Sequence, residues 1–182
     1  MDLVQSLTWV DLAIILVLAV GVFAGFTQGT IVYVLNTLAL LIAFIVAAQL
    51  KGPLIDLLGF WTAFAPEGKD LIVFMILFIG LTVAAWLVIF RVYRRSRLPI
   101  PKQLDEIGGA ILGLVYVGLF ITLQLVILDS FFVDGGEGPE WLTAYYDGLS
   151  SSLIIGFFRD NILPIVGFVM RPFLPDEIAA LL

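Results

Sequence analysis

The chain contains no cysteine and no histidine, and only 13% of its residues are charged. Without cysteine there is no disulfide, no thiol nucleophile and no thiolate zinc site. Without histidine there is no imidazole acid–base catalyst and no His-ligated haem. Cations are scarce as well, with 9 Lys and Arg against 15 Asp and Glu for a net charge of −6. That balance excludes nucleic acid as a partner, because phosphate binding needs a strongly basic surface. The sequence also lacks G-x-S-x-G, H-E-x-x-H and P-loop motifs. Ser150–Ser152 has no histidine to activate it, and Lys51 and Lys69 lie in a distant loop. No cofactor, no metal and no catalytic residue is expected; the chain reads as non-enzymatic.

What the chain has in excess is hydrocarbon. Of 182 residues, 62% are hydrophobic, and the mean hydropathy is +1.13. A soluble domain is about 45–50% apolar, and one of this length leaves too much surface in water to hide more. The reading is one all-α integral membrane domain, with the lipid bilayer as its first partner. The N-terminus, "MDLVQSLTWVD", carries acids where a signal peptide carries cations, so the first apolar segment is expected to remain as an anchor.

Leu12 to Leu50 is a run of 39 residues without a charge. As one helix it would extend about 58 Å, against a hydrocarbon core of about 30 Å, so it must fold back on itself. The turn chemistry inside it is "GFTQGT", Gly25 to Thr30. Helix 1 is expected over 8–26 and helix 2 over 30–50, stopped by Lys51-Gly52-Pro53. Leu54 to Asp70 reads as a loop with an interfacial turn anchored by Trp61, broken by "APEGKD". Uncharged runs place helix 3 at 71–90 and helix 4 at 107–128. The acidic tail, 129–182, holds Arg159 and Asp160 in mid-run and then Pro164. A charge pair at mid-membrane is costly, so amphipathic interfacial or re-entrant helices are expected there rather than a fifth span. The architecture is four transmembrane helices with that C-terminal segment.

Arg91, Arg94, Arg95, Arg97 and Lys102 put five of the nine basic residues into twelve positions. By the positive-inside rule the 91–106 loop is cytoplasmic, and the N-terminus and tail lie outside. The arginines of this loop are also candidates to bind anionic lipid head groups.

Gly21, Gly25 and Gly29 recur four apart, as do Gly109 and Gly113. In lipid, helices associate where small residues let backbones approach. These glycines therefore pack either within the bundle or in a homo-oligomer or partner surface. Asn36, Thr82 and Gln124 are candidates for interhelical hydrogen bonds. Asp11 and Asp129 stand at the outer ends of helices 1 and 4, where a carboxylate stays wet. The expected hydrocarbon core holds no ionisable group, against a proton relay or an ion-coupled transporter.

"TWVDLAIILVLAVGVFAGFTQGTIVYVLNTLALLIAFIVA", with Asp11, Gly25 and Gly29, resembles the N-terminal region of the colicin V production protein family. Leu104, Asp105, Gly109 and Gly113 resemble the start of that family's helix 4, and Ser152–Leu153 its tail. The likeness spans about 8–153. Thr27, Gln28 and Thr30 stand where members usually carry basic residues, and no acid precedes Asp56 in helix 2. The resemblance implies a multi-pass bacterial inner-membrane protein that assists peptide-toxin export or envelope homeostasis through partner proteins. No catalytic set comes with it. Asp105 is the best polar candidate, as a partner contact or as a cap at the N-terminus of helix 4. Two other readings stand beside this one: a scaffold subunit of a large membrane complex, and a channel or uncoupled transporter.

Overall fold

The computed structural model describes residues 8–57, 66–93, 101–133 and 140–173. Among these there is no strand. Four long helices come first: α1 (Trp9–Gln28), α2 (Thr30–Leu57), α3 (Pro66–Tyr93) and α4 (Lys102–Val133). A short α5 (Glu140–Ser150) follows. The chain then runs almost without a break through α6 (Leu153–Phe157), a π-helical turn (Phe158–Ile162), α7 (Leu163–Met170) and a 3₁₀ turn (Arg171–Phe173). The all-α membrane architecture holds. Trp61, Arg94, Arg95 and Arg97 lie outside the described residues.

Each long helix extends past its uncharged run. The fold-back between α1 and α2 takes a single residue, Gly29, at φ 88°, a region that side-chain-bearing residues rarely enter. The expected stop of α2 at Lys51–Pro53 is overturned, because α2 continues through Pro53 to Leu57. The proline comes in the last turns, where it removes one backbone bond, and Lys51 is tied to Asp70 of α3 at 3.0 Å. Of the stretch expected as loop up to Asp70, residues 66–70 are helical, while the expected break after the interfacial turn lies outside the described residues. Pro66 opens α3, at the helical position where its fixed φ is favourable and its missing N–H costs nothing. At the other connection, α4 starts at Lys102 and runs beyond Asp129 to Val133.

Helix α4 is the hub, with α1 on one flank and α2 on the other, and α3 packs mainly on α2. The α2–α3–α4 core is aromatic. Phe44 and Phe78 meet edge to face at 5.5 Å, and Phe78 stacks on Phe120 at 5.9 Å. Toward Gly29, the α1–α4 seam is made of glycine backbone, while Val10 and Ile14 pack on Leu125 and Leu128 at its other end. A Cβ on Gly25 would fall on the Gly109 carbonyl, one on Gly109 on the Gly25 carbonyl, and one on Gly113 on the Gly21 carbonyl. The glycines of the two motifs therefore meet one another within one chain, backbone to backbone.

By length and composition alone, five helical stretches can cross a membrane, the fifth being Leu153–Phe173. Its contacts show how it runs. It begins at Ser152, which bonds Asp11 of α1, and ends at Phe173, whose carbonyl accepts from Gln49 of α2 at 3.2 Å. Asp11 lies 18 residues before Gly29, and Gln49 lies 19 after Thr30. At about 1.5 Å per residue, both are about 27–29 Å from the turn. The segment thus starts and finishes at one level and lies across α4. A Cβ added to Gly118 would come into ordinary van der Waals contact with the Phe158 ring, and Val166 and Met170 enter the α2–α3 core.

Gly25→Leu or Gly113→Leu is expected to push α1 from α4. Overpacking of this kind costs about 1–3 kcal/mol or more, so the thermal midpoint in detergent should fall sharply. Gly80, which meets nothing within 4 Å, serves as the control, and Gly80→Leu should leave the midpoint unchanged or higher.

Candidate functional site

Two carboxylates organise opposite ends of the α1–α4 pair. Asp105 stands at the Gly29 end. It does not cap its own helix, as the sequence suggested, because α4 already begins three residues earlier. Its Oδ1 instead accepts from the backbone N–H of Thr30 at 2.8 Å, and the Thr30 hydroxyl donates back to the Asp105 carbonyl at 2.9 Å. Thr30 is the first residue of α2, so Asp105 caps α2 from another helix. The carboxylate occupies the space a Cβ on Gly29 would need. Gly29 is therefore required twice, for its φ and for this approach.

Asp11 stands at the other end and is fully buried. Thr8 and Asp11 form a capping box at the start of α1. Oδ2 accepts from the Thr8 N–H at 2.8 Å and from its hydroxyl at 2.7 Å. Oδ1 accepts from the Ser152 hydroxyl at 2.6 Å and from the Ile154 N–H at 3.0 Å. Ser152 is the N-cap of α6, its Oγ accepting from Ile155 N–H at 3.2 Å. One carboxylate thereby serves two helix N-termini, 141 residues apart in sequence between Asp11 and Ser152. The expectation of a wet acid at a helix end is overturned: four protein donors replace the water.

A third polar group lies near Asp11. Arg159 forms a bidentate pair with Asp129, Nη2 to Oδ1 at 2.6 Å and Nε to Oδ2 at 3.1 Å. The Tyr146 hydroxyl donates to Asp129 Oδ1 at 2.9 Å, and the guanidinium lies 5.5 Å from the Tyr146 ring centre. Ser150 accepts from Arg159 at 3.4 Å. Burial first, and then the bond to Asp129, push the Tyr146 phenol above its ordinary range, so it stays a donor. Asp129, also expected to be wet, is thus paired, and the charge of Arg159 is met at the level where it falls. The π-helical turn that aims Arg159 has a local cause. Pro164 has no N–H to give to Asp160, and Leu163 N–H bonds back to Phe158 instead.

The groups expected to glue the helices do not. Asn36, Thr82 and Gln124 make no hydrogen bond among the described residues, and the Thr82 hydroxyl is buried without a partner. Of the basic loop, Arg91 in the last turn of α3 and Lys102 at the start of α4 are exposed, and Lys102 lies 3.6 Å from Glu106. No group of three or more acids that could hold a metal occurs among the described residues. Sequence reading missed the roles of Thr8, Thr30, Tyr146 and Arg159. The signal for the first was present in Thr-x-x-Asp before an apolar run.

Residues 10–162 match the family model described as Colicin V production protein. No curated protein and no solved structure matches the chain.

Removing the Asp11 carboxylate leaves buried donors unpaired, at about 1–3 kcal/mol for each stranded group. Asp11→Ala and Ser152→Ala should both lower the thermal midpoint in detergent, while Asp160→Ala, at an exposed site, should not. The double variant should lose less than the two single losses combined. Additivity within about 0.5 kcal/mol would show that the two groups are not coupled.

Proposed function

Because the chain belongs to the colicin V production protein family, we propose that it is a non-enzymatic protein of the bacterial cytoplasmic membrane. In this reading it assists peptide-toxin export or envelope homeostasis through partner proteins. The observation that carries the reading is the match over residues 10–162. The matched segment begins one residue before Asp11 and ends three after Arg159, so it contains Asp11, Asp105, the glycine seam and the Asp129–Arg159 pair. The chain's chemistry is consistent with a role in assembly. The carboxylates of Asp11 and Asp129 are matched by donors of the same chain, and the glycines of α1 and α4 meet within it. Neither the scaffold-subunit reading nor the channel reading draws on a specific observation of its own.

The orientation follows from charge. Arg91 and Lys102 flank the basic loop at the Gly29 end of the bundle, which we assign to the cytoplasm. In this reading the arginines of the loop, Arg91, Arg94, Arg95 and Arg97, bind anionic lipid head groups. The Asp11 end, with α5 and the transverse C-terminal segment, then faces outward. That segment lies in the outer leaflet, its Ile165, Phe168 and Val169 exposed to hydrocarbon and 63%, 85% and 54% accessible.

Deleting the gene in a host that secretes a peptide toxin should lower export or raise sensitivity to envelope stress. Wild-type protein should restore the phenotype, and Asp11→Ala made at a normal level in the membrane should not. A host unaffected in both respects would refute the reading. The chain has no cysteine, so topology is directly measurable. A single cysteine at Asp147 should react with an impermeant maleimide in intact spheroplasts, and one at Arg94 only after lysis; the reverse pattern would invert the assignment.

A further inference from the structure

A half-open groove of about 250 Å³ lies between α1, α4 and α5 at the Asp11 end. Its walls extend from Trp9 to Val17 on α1 and from Phe120 to Leu128 on α4, a length of about 12 Å at about 1.5 Å per residue. Gln124 stands midway along the α4 wall, with about 6 Å of the groove on its bilayer-centre side. The lining is otherwise almost wholly apolar and carries no charged side chain, but it includes the Gln124 carboxamide. That group makes no hydrogen bond among the described residues. At the mouth stand Trp9 and Tyr145, 71% and 50% exposed, amphipathic rings of the kind that sit at the head-group boundary.

We propose that this groove is a binding site for one acyl chain of a membrane phospholipid, whose ester carbonyl accepts a hydrogen bond from the Gln124 carboxamide. Depth supports the assignment. Gln124 lies 19 residues beyond Asp105 along α4, about 28 Å from the opposite end of a core about 30 Å thick. That is the glycerol-ester level, where the bilayer supplies acceptors and where an unpaired amide costs a few kcal/mol. Width supports it too. A volume of about 250 Å³ spread over about 12 Å leaves a cross-section of about 20 Å². A polypeptide helix 10–12 Å across needs roughly 80–110 Å², so a single hydrocarbon chain fits within the groove and a whole helix does not enter it. With no charge in its wall, the site reads the chain and the ester rather than the head group. This inference is independent of the export role, and its test involves no secretion phenotype.

The test uses the full chain in a mild detergent, titrated with 1-palmitoyl-2-oleoyl phosphatidylethanolamine and read by native mass spectrometry. One lipid should bind saturably. Ala13→Trp, which fills the groove from an exposed position midway along its α1 wall, should abolish that binding. Gln124→Leu should weaken it about five- to tenfold, the loss of one hydrogen bond. The ether-linked analogue, which lacks the carbonyl, should bind the wild-type protein as weakly as the ester binds Gln124→Leu. Phosphatidylglycerol should bind within about twofold of phosphatidylethanolamine. Equal lipid binding by wild type and a folded Ala13→Trp would overturn the proposal, as would ester and ether lipids binding alike. Loss of a dimer in Ala13→Trp without any bound lipid would assign the groove to a second copy and overturn it as well. If Ala13→Trp does not fold, Gln124→Leu with an unchanged thermal midpoint and the ether lipid decide the matter.

Discussion

The first N–H groups of every α-helix lack an intrahelical acceptor, and in hydrocarbon no water is present to supply one. The rest of this structure depends on how that constraint is met at two places. Asp105 brings a carboxylate from α4 to the start of α2. Asp11 serves the start of its own helix and the start of α6 together. In both cases the acid also fixes where a distant segment begins, so capping and tertiary assembly are one interaction. The arrangement is possible because α1 and α4 touch backbone to backbone. With side chains at Gly25, Gly109 and Gly113 the two helices would stand further apart, and the Asp105 carboxylate could not occupy the space above Gly29.

The two ends of the bundle are unequal as a result. At the Gly29 end the α1–α2 connection is one residue long and closed by a single acid. At the Asp11 end the chain adds α5 and the transverse run from α6 to the 3₁₀ turn. That run needs its own electrostatic solution, because Arg159 falls on the face turned toward α4. The solution is the Asp129 carboxylate, oriented by Tyr146. Removal of either partner leaves the other charge in a poorly hydrated position, which is the expensive case for such a pair. The π-helical turn belongs to the same solution. It accommodates Pro164 and lets Phe158 meet Gly118 while Val166 and Met170 reach the α2–α3 core.

Much of this was legible in the residues. The uncharged runs located four long helices, and the glycine spacing marked the seam, because both signals are local and periodic. Arg159 and Asp160 mark the apolar stretch of the tail as different from the four uncharged runs, although by length and composition it too can cross a membrane. What could not be read was pairing at long range. Asp11 with Ser152 and Thr30 with Asp105 are joined only by the fold, and no spacing rule connects them. Local rules also gave two wrong boundaries. Pro53 reads as a stop, yet α2 continues past it to Leu57. The uncharged run starts helix 3 at Leu71, yet Pro66 already occupies its first helical position. The polar residues that seemed suited to bridging helices, Thr82 and Gln124, were chosen for depth alone. The donors and acceptors that actually bridge are those next to a helix start, where the backbone has unmet groups to offer.

This difference also bears on where the molecule can engage anything else. A buried polar group already matched by its neighbours offers no energy to an outside partner, and that describes the carboxylates of Asp11 and Asp129. Glycine contacts inside one chain are spent in the same way. Two open features among the described residues lie on the Asp11 side: the apolar outer face of α6 and α7, and the groove beside α1. Both are bordered by elements whose placement depends on the Asp11 clasp. Loosening that clasp would therefore alter the external surface as well as the stability of the bundle, so a buried acid with no chemistry of its own can still control what the protein binds.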